Sequence, residues 1–248
     1  MKENLSAIIT AAGQGKRLNP YIPKALITIK GKPLIYWIIK KINSKVSRIF
    51  IIVSKKNIYE IKKSIRILFP ELNKKITYII QKKPTGTAHA INLTRKLIKT
   101  KFLLTVWCDQ ILFSKTTLNK SIHELINKDK YIVFPTVYLS NPYLKFEIHN
   151  KKITNIIYSI YLNKKLRFGE KDCGIFLFNS KILFQTIKNI SLKKLIPKGS
   201  KENNILEIIP CYYRMYNENK ISKIKIKKNY ESYGINNVKE LKRATKYI

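Results

Sequence analysis

The segment SAIITAAGQGKRLNPYIPKAL, residues 6–26, joins an apolar run to a loop of small residues and cations. It opens with an apolar run that predicts a buried strand ending at Thr10. Ala11, Ala12 and Gly13 follow with little or no side chain, so backbone N–H groups in this turn can approach a polyphosphate. The pattern is neither GxxxxGK[ST] nor GxGxxG. It predicts a strand followed by a loop of small residues.

Cations follow this loop closely. Lys16 and Arg17 directly follow Gly15, and Lys24 comes nine positions after it. They can offset the charge of a bound phosphate, or they can be solvated cations at an ordinary βα turn. The segment taken alone leaves both interpretations open.

Outward from this segment, short apolar runs alternate with helical patterns. The alternation predicts βαβ units and a mostly parallel sheet flanked by helices, a Rossmann-like α/β fold. After residue 131 strands follow one another, which indicates added antiparallel strands in the second half. Strands are expected at 6–10, 47–54, 76–80, 101–107, 131–139, 144–148, 152–161, 174–179 and 221–226. Helices are expected at 33–42, 59–68, 86–98, 117–127, 180–189, 203–217 and from 238, with a polar loop at 193–204.

The charge balance is strongly basic. The 248 residues hold 50 Lys and Arg against 14 Asp and Glu, a net charge of +36, and 43 of the cations are Lys. Such a charge is typical of proteins that bind nucleic acid, anionic membranes or phosphorylated ligands. Because the lysines are spread along the whole chain, compositional drift explains them better than a nucleic-acid-binding face. No nucleic-acid partner is expected, and a basic nucleic-acid-binding protein on an inactive scaffold remains the alternative outside the enzymes.

The cysteines and the apolar runs indicate the cellular compartment of the protein. Cys108, Cys173 and Cys211 form no CxxC pair, and their odd number argues against a disulfide framework. The longest apolar runs are too short to span a membrane. We expect a cytoplasmic protein without a membrane partner, and the sequence leaves its oligomeric state open.

The first segment carries a family resemblance. AAGxGxRL followed by PKxL resembles the signature of the sugar-1-phosphate nucleotidyltransferases, which couple a nucleoside triphosphate to a sugar 1-phosphate. The resemblance implies that Arg17 stabilises charge on the β- and γ-phosphates and that Lys24 faces the α-phosphate or the acceptor phosphate. It assigns nucleotide binding to Thr10, Ala11, Ala12, Gly13, Gly15 and Lys16.

A second stretch, QKKPTGTAHA at residues 81–90, resembles the base-recognition loop of the N-acetylglucosamine-1-phosphate uridylyltransferase domain. The resemblance implies that Gln81, Gly86 and Thr87 bind the nucleotide, with Gln81 reading uracil. An amide side chain offers a donor and an acceptor, which suits the uracil edge. A strand, a turn and a helix N-cap at Thr85 or Thr87 fit the same residues. His89 is expected to be packed in the helix.

Two further matches imply a metal site. Asp109 stands at the end of a predicted strand, where the family has the Asp of a Gly-Asp pair that binds the metal. Asn236, in YGINN, matches the Asn of a Gly-Val-Asn segment that supplies the second ligand. The resemblance therefore implies Mg²⁺ on Asp109 and Asn236, and oxygen ligands suit that ion.

The acceptor side matches the family less closely. Cys108 replaces the glycine before Asp109, Asp172 replaces an asparagine that contacts the sugar, and Tyr158 stands where a sugar-binding glutamate is found. With Gly174, these three are the expected acceptor-binding residues. A CTP-dependent cytidylyltransferase acting on phosphocholine or another phosphorylated alcohol is the rival within the enzymes.

Because the sequence shows no internal repeat and no long linker, we expect one domain over 1–248, with a nucleotide-binding half at 1–130 and an acceptor-binding half at 131–248. The resemblance implies a stand-alone nucleotidyltransferase, since the chain lacks the acyltransferase β-helix of the bifunctional uridylyltransferases. The partners would be a nucleoside triphosphate, UTP favoured, and a phosphorylated small-molecule acceptor. No general base is required, because a phosphate monoester is already ionised at neutral pH.

Overall fold

A computed structural model describes residues 4–13, 15, 17–162 and 165–248. Over these residues the strands are β1 Leu5–Thr10, β2 Thr28–Ile29, β3 Lys32–Pro33, β4 Arg48–Val53, β5 Ile76–Ile80, β6 Phe102–Trp107, β7 Ile132–Ser140, β8 Leu144–His149, β9 Lys152–Tyr158, β10 Phe168–Asp172, β11 Ile175–Asn179 and β12 Ile221–Lys225. The α-helices are α1 Leu34–Ile42, α2 Ile58–Leu68, α3 Thr87–Asn92, α4 Lys115–Asn127, α5 Ser159–Leu162, α6 Ser180–Ile190, α7 Ile208–Met215 and α8 Val238–Ala244.

One eight-stranded sheet carries the fold, in the order β10-β7-β11-β6-β1-β4-β5, with β12 also paired to β7. The strands β6, β1, β4 and β5 are parallel neighbours, as the βα alternation predicts. Strand β11 runs antiparallel to β6 and β7, and β10 runs antiparallel to β7. The predicted fold class, with antiparallel strands added in the second half, is confirmed.

Both faces of the sheet are covered by helices. Along β4, Ile49 and Ile51 belong to a core shared with α1, α2 and α4, whereas Phe50 and Ile52 belong to a core shared with α3, α6 and α7. A parallel strand buried on both faces has no polar side, which explains the continuous apolar run in its sequence.

Several predicted elements differ from the structure. The helix expected at 86–98 ends at Asn92, where the Thr94 side-chain and backbone donors both bond to the Ile91 carbonyl and tighten the next turn. The strand expected at 152–161 ends at Tyr158 and turns into α5. The helix expected at 203–217 begins only at Ile208, after a 3₁₀ turn.

Strand β10 was not predicted at all. Its sequence, FGEKD, has no apolar alternation, yet four of its five residues are buried. Glu170 accepts a hydrogen bond from Thr136 Oγ1 at 2.7 Å and pairs with Lys223 at 3.0 Å. Lys171 donates to the Ser232 carbonyl at 3.0 Å. These tertiary partners, rather than apolar side chains, make burial of the strand possible.

The sheet brings several predicted site segments to one edge. Thr10 lies opposite Trp107 at the carboxyl ends of β1 and β6, and the Cys108 amide donates to the Thr10 carbonyl at 3.2 Å. Because β11 is antiparallel to β6, its first residue, Ile175, pairs with Val106 at this same edge. Carboxyl ends of parallel strands are where open α/β sheets bind ligands.

Candidate active site

The loop after β1 is shaped by Gly15. This glycine has φ of +63°, and a Cβ on it would lie 2.7 Å from Lys24 Cβ. Its carbonyl accepts hydrogen bonds from the amides of Leu18 and Asn19. Gly13 is different, because among the described residues nothing but its chain neighbours lies within 4 Å of an added Cβ. Gly15 thus brings the loop against Lys24, and open space remains beside Gly13.

The expected cations occupy different settings. Lys16 lies outside the described residues. The Arg17 side chain is exposed. Burial raises the pKa of Tyr143, and the charge of Arg17 acts against this rise. Lys24, at the start of a 3₁₀ turn after Pro23, points inward. Only 12% of its side chain is exposed.

Lys24 joins the two expected metal ligands. Its ammonium donates to Asp109 Oδ2 and, at 2.8 Å, to Asn236 Oδ1. The Asp109 side chain is 17% exposed. Two side-chain oxygens from distant parts of the chain therefore converge on one cation.

Asn236 is held in place by its neighbours. The Ile235 amide donates to the Asp109 carbonyl at 3.2 Å, and the Ile235 side chain is fully buried. The Asn236 amide donates to Glu240 Oε2 at 2.6 Å, while Asn237 accepts from the Glu240 amide at 2.9 Å and caps α8. This reciprocal capping fixes the start of the helix and, with it, the Asn236 backbone.

The Gln81 loop is tied to the second half of the chain. Gln81 is buried, and its Nε2 donates to the Gly86 carbonyl at 3.1 Å and lies 3.2 Å from His89 Nδ1. Gly86 has φ of +114° and forms a β-bridge with Asn203, whose carbonyl oxygen would lie 1.8 Å from an added Cβ. Thr87 Oγ1 accepts from the Ile205 amide at 3.0 Å.

On the expected acceptor side, Asp172 and Tyr158 are both buried. Asp172 Oδ1 accepts from the Gly174 amide at 2.6 Å, and burial raises the pKa of this carboxyl. The Tyr158 hydroxyl donates to Glu207 Oε1 at 2.9 Å and accepts from Asn204 Nδ2 at 3.2 Å. Burial is also the largest cause that raises the pKa of Glu207. A buried carboxyl, that of Asp172, and a half-buried one, that of Glu207, thus act on Tyr158.

The cysteines beside the site are poorly suited to act as nucleophiles. Burial raises the pKa of Cys108 to about 12, and it raises the pKa of Cys173 well above its ordinary value. Because the thiolate is the reactive form, both side chains are inert near neutral pH.

The structure adds residues that the sequence patterns did not single out. Tyr143 and Tyr161 flank Tyr158, with ring centroids 6.3 and 5.4 Å from it. Gln110 is buried between Gly174 and Gly234, and its Oε1 has no hydrogen-bond partner among the described residues. No local signal marks these residues, because each depends on a contact between distant segments.

The described part of the chain lacks two features, a cluster of metal-binding side chains and a membrane-spanning helix. It holds no cluster of three or more His, Cys, Asp or Glu side chains that could bind a metal ion. None of its helices combines the length and apolar character needed to cross a membrane.

Comparisons with known proteins agree with this architecture. The bifunctional protein GlmU of Buchnera aphidicola is 31% identical over 246 residues, which are 98% of this chain and 52% of that protein. The chain thus spans about half the length of this curated relative.

Solved structures share the fold. A Bacillus anthracis structure described as a glucose-1-phosphate thymidylyltransferase in complex with sucrose aligns with a TM-score of 0.75 at 21% identity, covering 98% of this chain and 94% of that one. The 4-diphosphocytidyl-2C-methyl-D-erythritol synthase of Anaerococcus prevotii aligns with a TM-score of 0.67 at 15% identity, covering 99% and 96%.

A family model described as nucleotidyl transferase matches residues 6–155. This range contains the glycine loop, Lys24, the Gln81 loop and Asp109, and it makes up more than half of the chain. The family expected from the sequence is confirmed: the chain belongs to the nucleotidyl transferase family.

Proposed function

We propose that the protein couples a nucleoside triphosphate, UTP favoured, to a sugar 1-phosphate and releases pyrophosphate. The observation that carries the proposal is the convergence of Lys24, Asp109 and Asn236 beside the glycine loop, at the carboxyl ends of β1 and β6. A cation and two oxygen ligands at this edge suit the positioning of phosphate groups.

The reaction is an in-line displacement at the α-phosphorus. An oxygen of the acceptor phosphate forms the new P–O bond, and the bond to pyrophosphate breaks. The backbone at Ala12 and Gly13 holds the triphosphate, Arg17 offsets charge on the β- and γ-phosphates, and Lys24 offsets charge on the α-phosphate or the acceptor. Catalysis then comes from positioning and charge stabilisation, without a general base.

The proposed metal is Mg²⁺. The residues fit it, because Asp109 and Asn236 already direct oxygen atoms at one cation, the Lys24 ammonium. The protein supplies few ligands, as is usual for Mg²⁺, which completes its coordination with substrate phosphates and water. When bound, the ion neutralises phosphate charge, and Lys24 is then free to contact a phosphate group.

Gln81 supports the preference for UTP. Its Nε2 is engaged by Gly86, which fixes the orientation of the amide. The amide oxygen can accept a hydrogen bond from N3–H of uracil, a donor that cytosine lacks.

The first test is pyrophosphate release with Mg²⁺, crossing five nucleoside triphosphates with sugar 1-phosphates and phosphocholine. We expect turnover with UTP and a hexosamine 1-phosphate. Arg17→Ala, Lys24→Ala and Asp109→Ala should each lower kcat/KM by about two decades or more. Lys120→Ala, a change at an exposed position on α4, is the control and should leave it unchanged. Near-normal activity in Asp109→Ala would contradict the metal assignment.

A specific observation favours a second candidate, a CTP-dependent cytidylyltransferase acting on phosphocholine or a similar phosphorylated alcohol. Burial is the largest cause that raises the pKa of Tyr158, and the carboxyl groups of half-buried Glu207 and buried Asp172 raise it further, in a chain with only 14 acidic residues. Tyrosine rings and carboxylates together can recognise a quaternary ammonium group.

The two candidates predict opposite effects of Asp172→Asn. The amide keeps an acceptor for the Gly174 N–H, so we expect the fold to persist. With a sugar phosphate as acceptor, kcat/KM should stay level or rise. With a cationic acceptor, it should fall about tenfold, because a charge partner is lost.

A further inference from the structure

Two segments carry the proposed metal ligands. Asp109 begins the loop 109–114 between β6 and α4, and Asn236 ends the segment 229–236 between β12 and α8. Near the ligands, the Ile235 amide bonds to the Asp109 carbonyl at 3.2 Å. Farther from the ligands, two charged residues that belong to no motif, Lys41 and Glu231, bond to the backbone of loop 109–114.

Lys41 projects from α1 to the loop after Asp109. Its ammonium donates to the carbonyl of Ile111 and, at 2.8 Å, to that of Phe113. The ammonium also lies over the Phe113 ring, 5.0 Å from the centroid. One side chain therefore satisfies two backbone carbonyls within the loop, which fixes the course of the chain there.

Glu231 holds the same loop from the other segment. Its side chain is buried, and its Oε2 accepts from the Ser114 amide at 2.8 Å. Ser114 is the N-cap of α4, where its Oγ accepts from the Thr117 amide at 3.0 Å. The Glu231 carboxylate thus lies at a helix N-terminus, a place that favours negative charge.

Two side chains of opposite charge therefore bind backbone groups of the same loop. Burial lowers the pKa of Lys41 to about 8, Glu231 acts to raise it, and Lys115 acts to lower it. The lysine donates to carbonyls and the glutamate accepts from an amide, so neither side chain can replace the other. Removing Lys41 leaves two carbonyls without their donor, and removing Glu231 leaves the Ser114 amide without its acceptor.

We propose that Lys41 and Glu231 are positioning residues that hold the Asp109 loop and the Asn236 segment at the separation required for both side-chain oxygens to bind one metal ion. This inference rests on the proposed function, because it takes Asp109 and Asn236 as the ligands. Within the described part of the chain, neither residue bonds to the proposed nucleotide loops, so their loss should weaken metal binding more than nucleotide binding.

The test measures Mn²⁺ binding to the full chain with UTP present, by electron paramagnetic resonance. Lys41→Met should weaken Mn²⁺ binding about tenfold, as loss of a residue that supports metal ligands does. Lys41→Arg should recover most of the affinity, since it keeps the charge and the donors. Lys40→Met, an exposed change one residue earlier on α1, is the matched control. The KM for UTP should stay within about threefold of wild type.

Glu231→Gln keeps the inference testable if Lys41→Met fails to fold, because glutamine preserves the size and an acceptor for Ser114. It should still weaken Mn²⁺ binding severalfold. Affinities equal to that of Lys40→Met in folded Lys41→Met and Glu231→Gln would overturn the proposal. Mn²⁺ binding that is absent in wild type, or unchanged in Asp109→Asn, would overturn it as well. A wild type that binds Mn²⁺ through Asp109 but transfers no nucleotide would refute the proposed function and leave the positioning role standing.

Discussion

At the scale of single residues, the two glycines of the first loop have different physical roles. Gly15 adopts a left-handed φ and has Lys24 against its Cα. Any larger residue at this position must strain the backbone and displace the lysine that joins Asp109 to Asn236. Gly13 has room around it, so its small size matters only when a ligand approaches.

Gly15→Ala should therefore lower the free energy of unfolding by about 1–3 kcal/mol, and with it the melting temperature, because it combines a strained φ with a short contact. Gly13→Ala is the matched change and should leave the melting temperature unchanged while raising the KM for the nucleotide. Thermal denaturation without ligand and steady-state kinetics measure the two effects. Equal melting temperatures for the two variants would contradict this distinction.

At the scale of elements, the start of α3 is joined to the segment before α7. Gly86 and Asn203 form a bridge, the Asn203 amide donates to the Thr85 carbonyl at 2.9 Å, and Asn203 Oδ1 accepts from the His89 amide at 2.7 Å. These bonds link the loop proposed to read the base to a segment far along the chain. Orientation of the base-reading loop therefore depends on both halves of the protein.

Gly86→Ala tests this link. Its Cβ would lie 1.8 Å from the Asn203 carbonyl oxygen, so the two segments must separate. We expect a lower melting temperature and faster amide hydrogen exchange at residues 85–89 and 203–205. Gly31→Ala has a similarly left-handed φ of +71° but nothing within 4 Å. The Gly31→Ala variant therefore measures the effect of backbone strain alone, and amide hydrogen exchange at residues 203–205 should stay unchanged in it.

Elements differ in how far the sequence predicts them. Strand β4 is predictable because burial on both faces requires an apolar run. Strand β10 is not, because Glu170 and Lys171 are buried only through partners that no local pattern indicates. The same contrast holds at the site. Asp109 stands within a recognisable motif, whereas nothing near Lys41 in sequence shows that its ammonium is turned towards the Asp109 loop.

At the scale of the whole molecule, the charge of +36 is balanced by few internal contacts. The described residues form five ion pairs, so most of the lysines and arginines among them are not paired with a carboxylate. Repulsion among these cations opposes folding and is screened by salt. Measurements of intrinsic stability should therefore be made at high ionic strength.

Under such conditions, alkaline pH should lower the stability of the protein through its buried acids. Burial raises the pKa of the Cys108, Cys173 and Cys211 thiols and of the Tyr158 and Tyr212 phenols. The unfolded chain ionises these groups near their ordinary values, whereas the folded chain keeps them protonated. The folded state then binds more protons, so stability falls as pH rises above about 9.

Lys41 acts in the opposite direction. Its folded pKa of about 8 lies below the ordinary 10.5, so the unfolded chain holds the extra proton between these values and stability rises there. This gain from one lysine offsets only part of the stability lost through the three thiols and two phenols. We expect a net loss of about 3 kcal/mol between about pH 8 and pH 10, measured by urea unfolding with a reductant and high salt. An unfolding midpoint that stays constant or rises over this range would show that the thiols and phenols are accessible to water in the folded protein.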